Sequence, residues 1–248
     1  MRVQECEGQN SRDDLANDIN NTHRNSDYLR GIPLPTNLSA TSDMAEAVRG
    51  AKQIYLCVPS QTLRENLVAL APHMQEGQIV ISLMKGVEKK TGLRMTEVIA
   101  EELPIDPDLI AVASGPNLAL EIAKEQPTAA VISSANLETA QTVALTASNA
   151  YFSCFVNTDV PGTEFGGVLK NLIAVAVGIV DGVGYGHNTK ASIITRGLAE
   201  MTDFAVAYGA QPETLSGLAG LGDLIATCES PLSRNNSAGR LLDRKSVV

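Results

Sequence analysis

Two lysines in this 248-residue chain stand where an ammonium group needs a reason. Lys170 lies in an apolar run of helical period, between Gly166-Gly167 and Leu172-Ile173. It either snorkels to the surface along its own alkyl stem or has a partner and a purpose inside. The paired glycines would let another backbone come close. Lys85 follows a buried-strand pattern and precedes Gly86, so it is either a solvated loop residue or a cation at a ligand rim. Asn117 follows Ser114-Gly115-Pro116 at a helix start, where it can cap the helix or hold a polar ligand. Asp223 closes Gly220-Leu-Gly222 and opens a helical stretch, which a plain N-cap would explain. Ser233-Arg234-Asn235 has the make-up of a phosphate clamp, with a serine cap, free helix N–H groups and a guanidinium fork. The same three residues also suit an exposed, capped helix start.

The elements that must position these groups fall into two kinds. Residues 53–58, 78–83, 109–113, 128–133 and 151–156 have the apolar runs of strands. Helical spacing covers 62–71, 118–124 and 137–148 between them. This alternation predicts an α/β fold: a doubly wound, mostly parallel sheet with helices on both faces. Ligands then sit beyond the carboxyl ends of the strands, which puts Pro59-Ser60, Lys85-Gly86 and Ser114–Asn117 on one rim. After Asn157 the pattern is helical only, at 162–182, 188–208 and 212–217. The division expected is a partial dinucleotide-binding domain over 1–157 and a partial, all-α substrate and catalytic domain over 158–248.

Composition narrows the classes. The chain is 44% hydrophobic and carries a net charge of −9, which favours solubility and argues against a nucleic-acid backbone as partner. Cys6, Cys57, Cys154 and Cys228 are dispersed, as are His23, His73 and His187, so no metal-ligand spacing exists. Cys57 and Cys154 sit in strand-like runs and read as buried thiols. No signal peptide and no apolar run long enough for a bilayer is evident; 172–180 reads as a buried helix, and the expected compartment is the cytoplasm. A glycine-rich strand–loop–helix is absent: Met1 to Asn10 holds one glycine, Gly182-Val-Gly184-Tyr-Gly186 follows a helix, and Gly217 to Gly222 has the wrong spacing. At the other end, Leu241-Leu242 reads as the beginning of a helix that residues 243–248 abandon. Those six residues match what a sequencing adapter would encode if read through.

Nine blocks together resemble the bacterial cytoplasmic NAD(P)-dependent glycerol-3-phosphate dehydrogenases. They are Tyr28-Leu-Arg-Gly-Ile-Pro-Leu-Pro35, Val58-Pro-Ser60, Lys85-Gly86, Ser114-Gly-Pro-Asn117, Gly166-Gly-Val-Leu-Lys-Asn171, Asn188-Thr-Lys190, Ile194-Thr-Arg-Gly-Leu-Ala-Glu-Met201, Ala219-Gly-Leu-Gly-Asp223 and Ser233-Arg-Asn235. The likeness runs from about Asp14 to Leu242, and residues 2–13 do not match the family's second strand. It implies a Rossmann-like sheet, here without its first strand and glycine-rich loop, followed by an incomplete helical domain.

The resemblance implies reduction of dihydroxyacetone phosphate to sn-glycerol 3-phosphate with NAD(P)H, in glycerophospholipid synthesis. It assigns Lys170 as proton donor, Asp223 as the carboxylate that orients it and Lys85 as a second cation. Gly115, Asn117, Asn171, Thr227, Ser233, Arg234 and Asn235 join these three around the substrate. Pro59, Lys85, Ala119 and Arg234 lie toward the cofactor. A lysine suits proton donation when burial or a neighbouring cation lowers its pKa. The partner expected is a small phosphorylated substrate, with no metal, nucleic acid or membrane insertion, and with a homodimer possible. Two other readings stand beside this one. One is a β-hydroxyacid dehydrogenase of similar architecture, acting on carboxylates. The other is an inactive fragment that binds NADH very weakly, since the absent strand belongs at the centre of a 3-2-1-4-5-6 sheet.

Overall fold

The computed structural model describes residues 2–3 and 9–244. A short parallel pair, β1 (Arg2–Val3) and β2 (Ser39–Ala40), flanks helix α1 (Gln9–Thr22), and α2 (Met44–Val48) follows. The main sheet holds β3 (Gln53–Leu56), β4 (Ile79–Ser82), β5 (Ile110–Ser114), β6 (Thr128–Ser133) and β7 (Phe152–Asn157), in that order across the sheet. Helices α3 (Leu63–Leu70), α4 (Met95–Glu102), α5 (Ala119–Ala123) and α6 (Leu137–Ala147) connect them.

The period of two along the strands sorts the core onto two faces. Ile54, Leu56, Val80 and Ile110 pack with Leu63, Leu67, Met95, Val98 and Ile99 of α3 and α4. Ile79, Ile81, Ala111 and Ile132 pack with Ala140, Val143 and Ala144 of α6 on the other face. Helices therefore cover both faces, as the alternation requires.

The sheet is parallel except where β5 meets β6. The chain between those strands contains one helix of five residues, about 7.5 Å long at 1.5 Å per residue. That is too short to carry the chain back along a strand of five or six residues, roughly 17–20 Å long. The chain turns at Gly115, whose φ of +135° favours glycine, and β6 returns antiparallel. Beyond it, β6 and β7 are again parallel.

β3 forms an edge of the main sheet, and this corrects the reading of Cys57 as a buried thiol. Ile54 and Leu56 are buried, but Tyr55 and Cys57 face outward. Cys57 is therefore exposed, Cys154 is partly buried, and only Cys228 is enclosed. Cys6 lies outside the described residues.

No strand follows Asn157 among the described residues. The remainder is α7 (Val160–Val183), α8 (His187–Ala207), α9 (Pro212–Ser216), a wide turn over Leu218–Gly222, α10 (Asp223–Glu229) and α11 (Arg234–Arg244). Helix α7 is longer than the apolar run 172–180 suggested. By length and composition alone it could cross a bilayer, contrary to the expectation that no run is long enough. Here it is a core helix: Ile173, Ala174 and Val177 pack with Met201, Ala205, Leu215 and Leu224. Lys190 of α8 and Arg240 of α11 both pair with Asp181 of α7, at 3.0 and 2.9 Å. Helix α11 starts at Arg234, so Leu241 and Leu242 lie inside it and not at its beginning. Residues 245–248 lie outside the described residues.

Candidate active site

The two glycines before Lys170 decide what meets α7. A Cβ on Gly166 would lie 2.5 Å from the Ala219 carbonyl oxygen, so only glycine lets the 218–222 turn rest against the helix backbone. A Cβ on Gly167 would lie 2.9 Å from the Ser114 hydroxyl and 3.3 Å from the Lys85 side chain. One glycine thus admits the segment that carries Asp223, and the next admits Lys85. The turn closes with the Gly222 N–H donating to the Gly217 carbonyl, five residues back, at 3.0 Å.

Asp223 is the first residue of α10 and does not cap it. Its two carboxylate oxygens are taken instead by two ammonium groups. Oδ1 accepts from Lys170 Nζ and Oδ2 from Lys85 Nζ. Lys170 Nζ also donates to Thr227 Oγ1 at 2.6 Å, and Lys85 Nζ to the Gly115 carbonyl at 3.0 Å. The Thr227 hydroxyl donates in turn to the Asp223 carbonyl at 2.7 Å. Lys170 is 6% exposed and Asp223 2%, so neither snorkels. Burial, and then the neighbouring Lys85 ammonium, lower Lys170 from 10.5 to about 8, while Asp223 opposes the fall. The result is a buried amine held charged by a carboxylate and easily parted from its proton.

The rim predicted from strand ends is present. Lys85 follows β4 and reaches Gly115 at the end of β5. Ser60, beyond β3, lies where a Cβ on Gly86 would fall, 2.5 Å from the serine Oγ. Asn117 is not the cap of α5, whose N-cap is Leu118 and makes no side-chain bond. The Asn117 Oδ1 and Ser114 Oγ atoms are buried without a hydrogen-bond partner among the described residues. Two unpaired polar atoms beside two lysines suit a polar ligand.

The nine-block resemblance and the fold agree with comparison with known proteins. Residues 4–140 match the NAD-dependent glycerol-3-phosphate dehydrogenase N-terminus and residues 159–247 its C-terminus. The chain belongs to the NAD-dependent glycerol-3-phosphate dehydrogenase family. The match extends beyond Asp14 and Leu242 at both ends, and so takes in most of residues 2–13 and 243–248. A glycerol-3-phosphate dehydrogenase [NAD(P)+] of Leifsonia xyli subsp. xyli is 73% identical over 231 residues, covering 93% of this chain. One of Streptomyces griseus is 55% identical, covering 94%. The chain spans 63% and 69% of the length of those two relatives. Among solved structures, glycerol-3-phosphate dehydrogenase from Coxiella burnetii superposes with a TM-score of 0.89 at 34% identity, over 98% of this chain and 72% of that one. DsGPDH of Dunaliella salina superposes at 0.91 and 36% identity, over 99% and 42%. A Rossmann-like domain followed by a helical one is the arrangement they share with this family member.

Of the residues expected at the site, Lys85, Gly115, Lys170, Asp223 and Thr227 form one bonded cluster. Thr227 spends its hydroxyl on Lys170 and Asp223. Asn171 and Asn235 are joined, the Asn235 Nδ2 donating to Asn171 Oδ1 at 2.7 Å, which ties the start of α11 to the residue beside Lys170. Ser233 caps α11 by accepting from the Asn236 N–H at 3.2 Å. Arg234 is exposed and its guanidinium makes no bond to Lys85, Lys170 or Asp223. Pro59 precedes the turn at Ser60–Thr62 and Ala119 opens α5, both without a polar side chain to contribute. The Ser114–Asn117 turn is legible at the rim from the sequence, but the task of the serine side chain is not. Its position at the end of a buried strand was the available signal.

Proposed function

We propose that this chain carries the proton-donor and substrate-binding part of an enzyme that reduces dihydroxyacetone phosphate to sn-glycerol 3-phosphate with NAD(P)H, for glycerophospholipid synthesis. The observation that carries the reading is the Asp223 carboxylate shared between Lys85 and Lys170. Negative charge grows on a ketone oxygen as hydride reaches its carbon, and a positioned acid must meet it. Lys170, at about 8, is mostly ammonium near neutral pH, and its burial and Lys85 favour release of the proton. Asp223 and Thr227 hold the Lys170 Nζ in place. Lys85 adds positive charge beside the carbonyl. Ser233, Arg234 and Asn235, at the start of an eleven-residue helix, suit the phosphate, with Asn171 beside them. Gly115 and Asn117 complete the substrate side.

The nicotinamide, when bound, supplies the hydride. Pro59, Lys85, Ala119 and Arg234 would lie along the cofactor, and the unpaired Ser114 and Asn117 atoms fit a polar group at that rim. Residues 1–157 would form the cofactor side and 158–248 the catalytic side. Net negative charge and the packed surroundings of α7 favour a cytoplasmic protein that neither binds nucleic acid nor enters a membrane and that works on a small phosphorylated substrate.

The test uses a chimera in which this chain replaces the matching part of the Leifsonia relative. It should oxidise NADH with dihydroxyacetone phosphate and not with the carboxylate substrates of β-hydroxyacid dehydrogenases. Arg234→Ala should raise KM for the phosphate substrate with little change in kcat. Preference for the carboxylates would overturn the reading.

A further inference from the structure

Lys170 is not the only buried charge on α7. Glu164, six residues earlier, is 4% exposed and points away from the lysine cluster into the start of α4. Its Oε1 accepts from the Thr96 N–H at 3.0 Å, a free donor of the first turn of that helix. Its Oε2 accepts from the Thr96 hydroxyl at 2.6 Å and from Arg94 Nη1 at 2.7 Å. Arg94 is held from its other side by Glu97, through the backbone N–H and Nη2, both at 2.8 Å. The carboxylate therefore fills a capping place that α4's own N-cap, an arginine, cannot fill as an anion.

The same contact leads to Lys85. Arg94 pairs across a short hairpin with Val87, and the Glu88 N–H donates to the Leu93 carbonyl at 2.9 Å. Lys85 is two residues before Val87. Along α7, Lys170 lies about 9 Å beyond Glu164 at 1.5 Å per residue. Between them Gly167 abuts the Lys85 side chain. Glu164 thus closes a loop of stiff elements: α7, the hairpin at 87–94, and the two lysines that share Asp223.

We propose that Glu164, clasped by Arg94 and Thr96, is a positioning residue that fixes α7 against the Lys85 hairpin and so sets how Lys85 and Lys170 face each other. This rests on the reading of Lys170 as proton donor. Without the clasp, Thr96 loses its acceptor on α7 and Arg94 keeps only Glu97 of its own helix, so α7 shifts from the hairpin, and Lys170 gains water and distance from Lys85. Both changes act in one direction, since burial and Lys85 are the two largest causes that hold Lys170 low. The groups facing Lys170 are Asp223, Thr227 and the Cys228 thiol from α10, and Lys85 from the segment that leads into the hairpin.

The test follows the titration of Lys170 in the intact chain by carbon NMR of labelled lysines, assigned with Lys170→Arg. Glu164→Ala should raise the Lys170 midpoint, with proton affinity up tenfold or more. Glu164→Gln keeps an acceptor for the Thr96 N–H and loses the charge facing Arg94, so its midpoint should fall between. It also carries the test if the alanine variant does not fold. Val177→Ala, a cavity elsewhere on α7, serves as control and should lower stability without moving the midpoint. An unmoved midpoint in folded Glu164 variants would overturn the proposal and leave Glu164 a packing residue. A wild-type Lys170 that titrates near the ordinary 10.5 would instead remove the proton-donor reading itself, before any substitution is made.

Discussion

Replacing Asp223 by asparagine removes one negative charge from between two ammonium groups and leaves the shape nearly unchanged. Opposite unit charges at 4 Å attract by about 4 kcal/mol at an effective dielectric constant near 20. Each 1.36 kcal/mol is worth a factor of about ten in proton affinity. Asp223 is the principal group that raises Lys170 against burial and Lys85. Its loss should therefore lower Lys170 from about 8 to below about 7, even after Lys85 swings away and relieves part of the repulsion. At pH 7.5 the lysine would then be a neutral amine with no proton to give. Carbon NMR of lysines labelled at Cε reads the midpoint directly, and NADH oxidation by the chimera reads the consequence. A folded Asp223→Asn protein in which Lys170 still titrates at or above about 8 would refute the electrostatic reasoning.

Gly166→Ala should destabilise the fold by about 1–3 kcal/mol, because the new methyl would meet the Ala219 carbonyl and push Asp223 away from Lys170; urea unfolding measures it, and an unchanged midpoint would speak against the close approach. The folded value of Lys170 lies below 10.5, so between about 8 and 10.5 the unfolded chain binds more protons and stability rises with pH. Below that window both states are charged and burial of the charge tells against the fold. Lys170→Met should abolish this rise, which amounts to at most about 3 kcal/mol; a wild-type minus variant difference that stays flat with pH would contradict it.

Strand period and turn residues made the sheet legible. Residues 128–133 match the observed strand to the residue, because a short apolar run with β-branched Val131 and Ile132, bounded by Pro127 and by the helix start at Asn136, is too short for a helix. Directions across the sheet were less legible, since the β5–β6 reversal depends on a helix of one turn that local pattern overstates by two residues. Cys57 was misplaced because an edge strand and a central one share composition, and only pairing tells them apart. At the site, the types and order of the blocks pointed to Lys170, Lys85 and Asp223. What brings them together, two adjacent glycines meeting different elements, is visible only in three dimensions. Asn117 and Asp223 both looked like caps because a polar residue at a helix start usually is one; neither caps here. Glu164, an acid in so apolar a helix, carries the same signal in the sequence as Lys170.

The measurement that bears most directly on the proton-donor assignment is chemical rescue in the chimera. Lys170→Ala should cut kcat for dihydroxyacetone phosphate by roughly 10²–10⁴-fold, with KM little changed, and added ethylammonium should restore part of the rate with a pH dependence set by the added amine. Near-normal turnover without lysine at 170, or a lost rate that no small amine recovers in a correctly folded protein, would contradict the account.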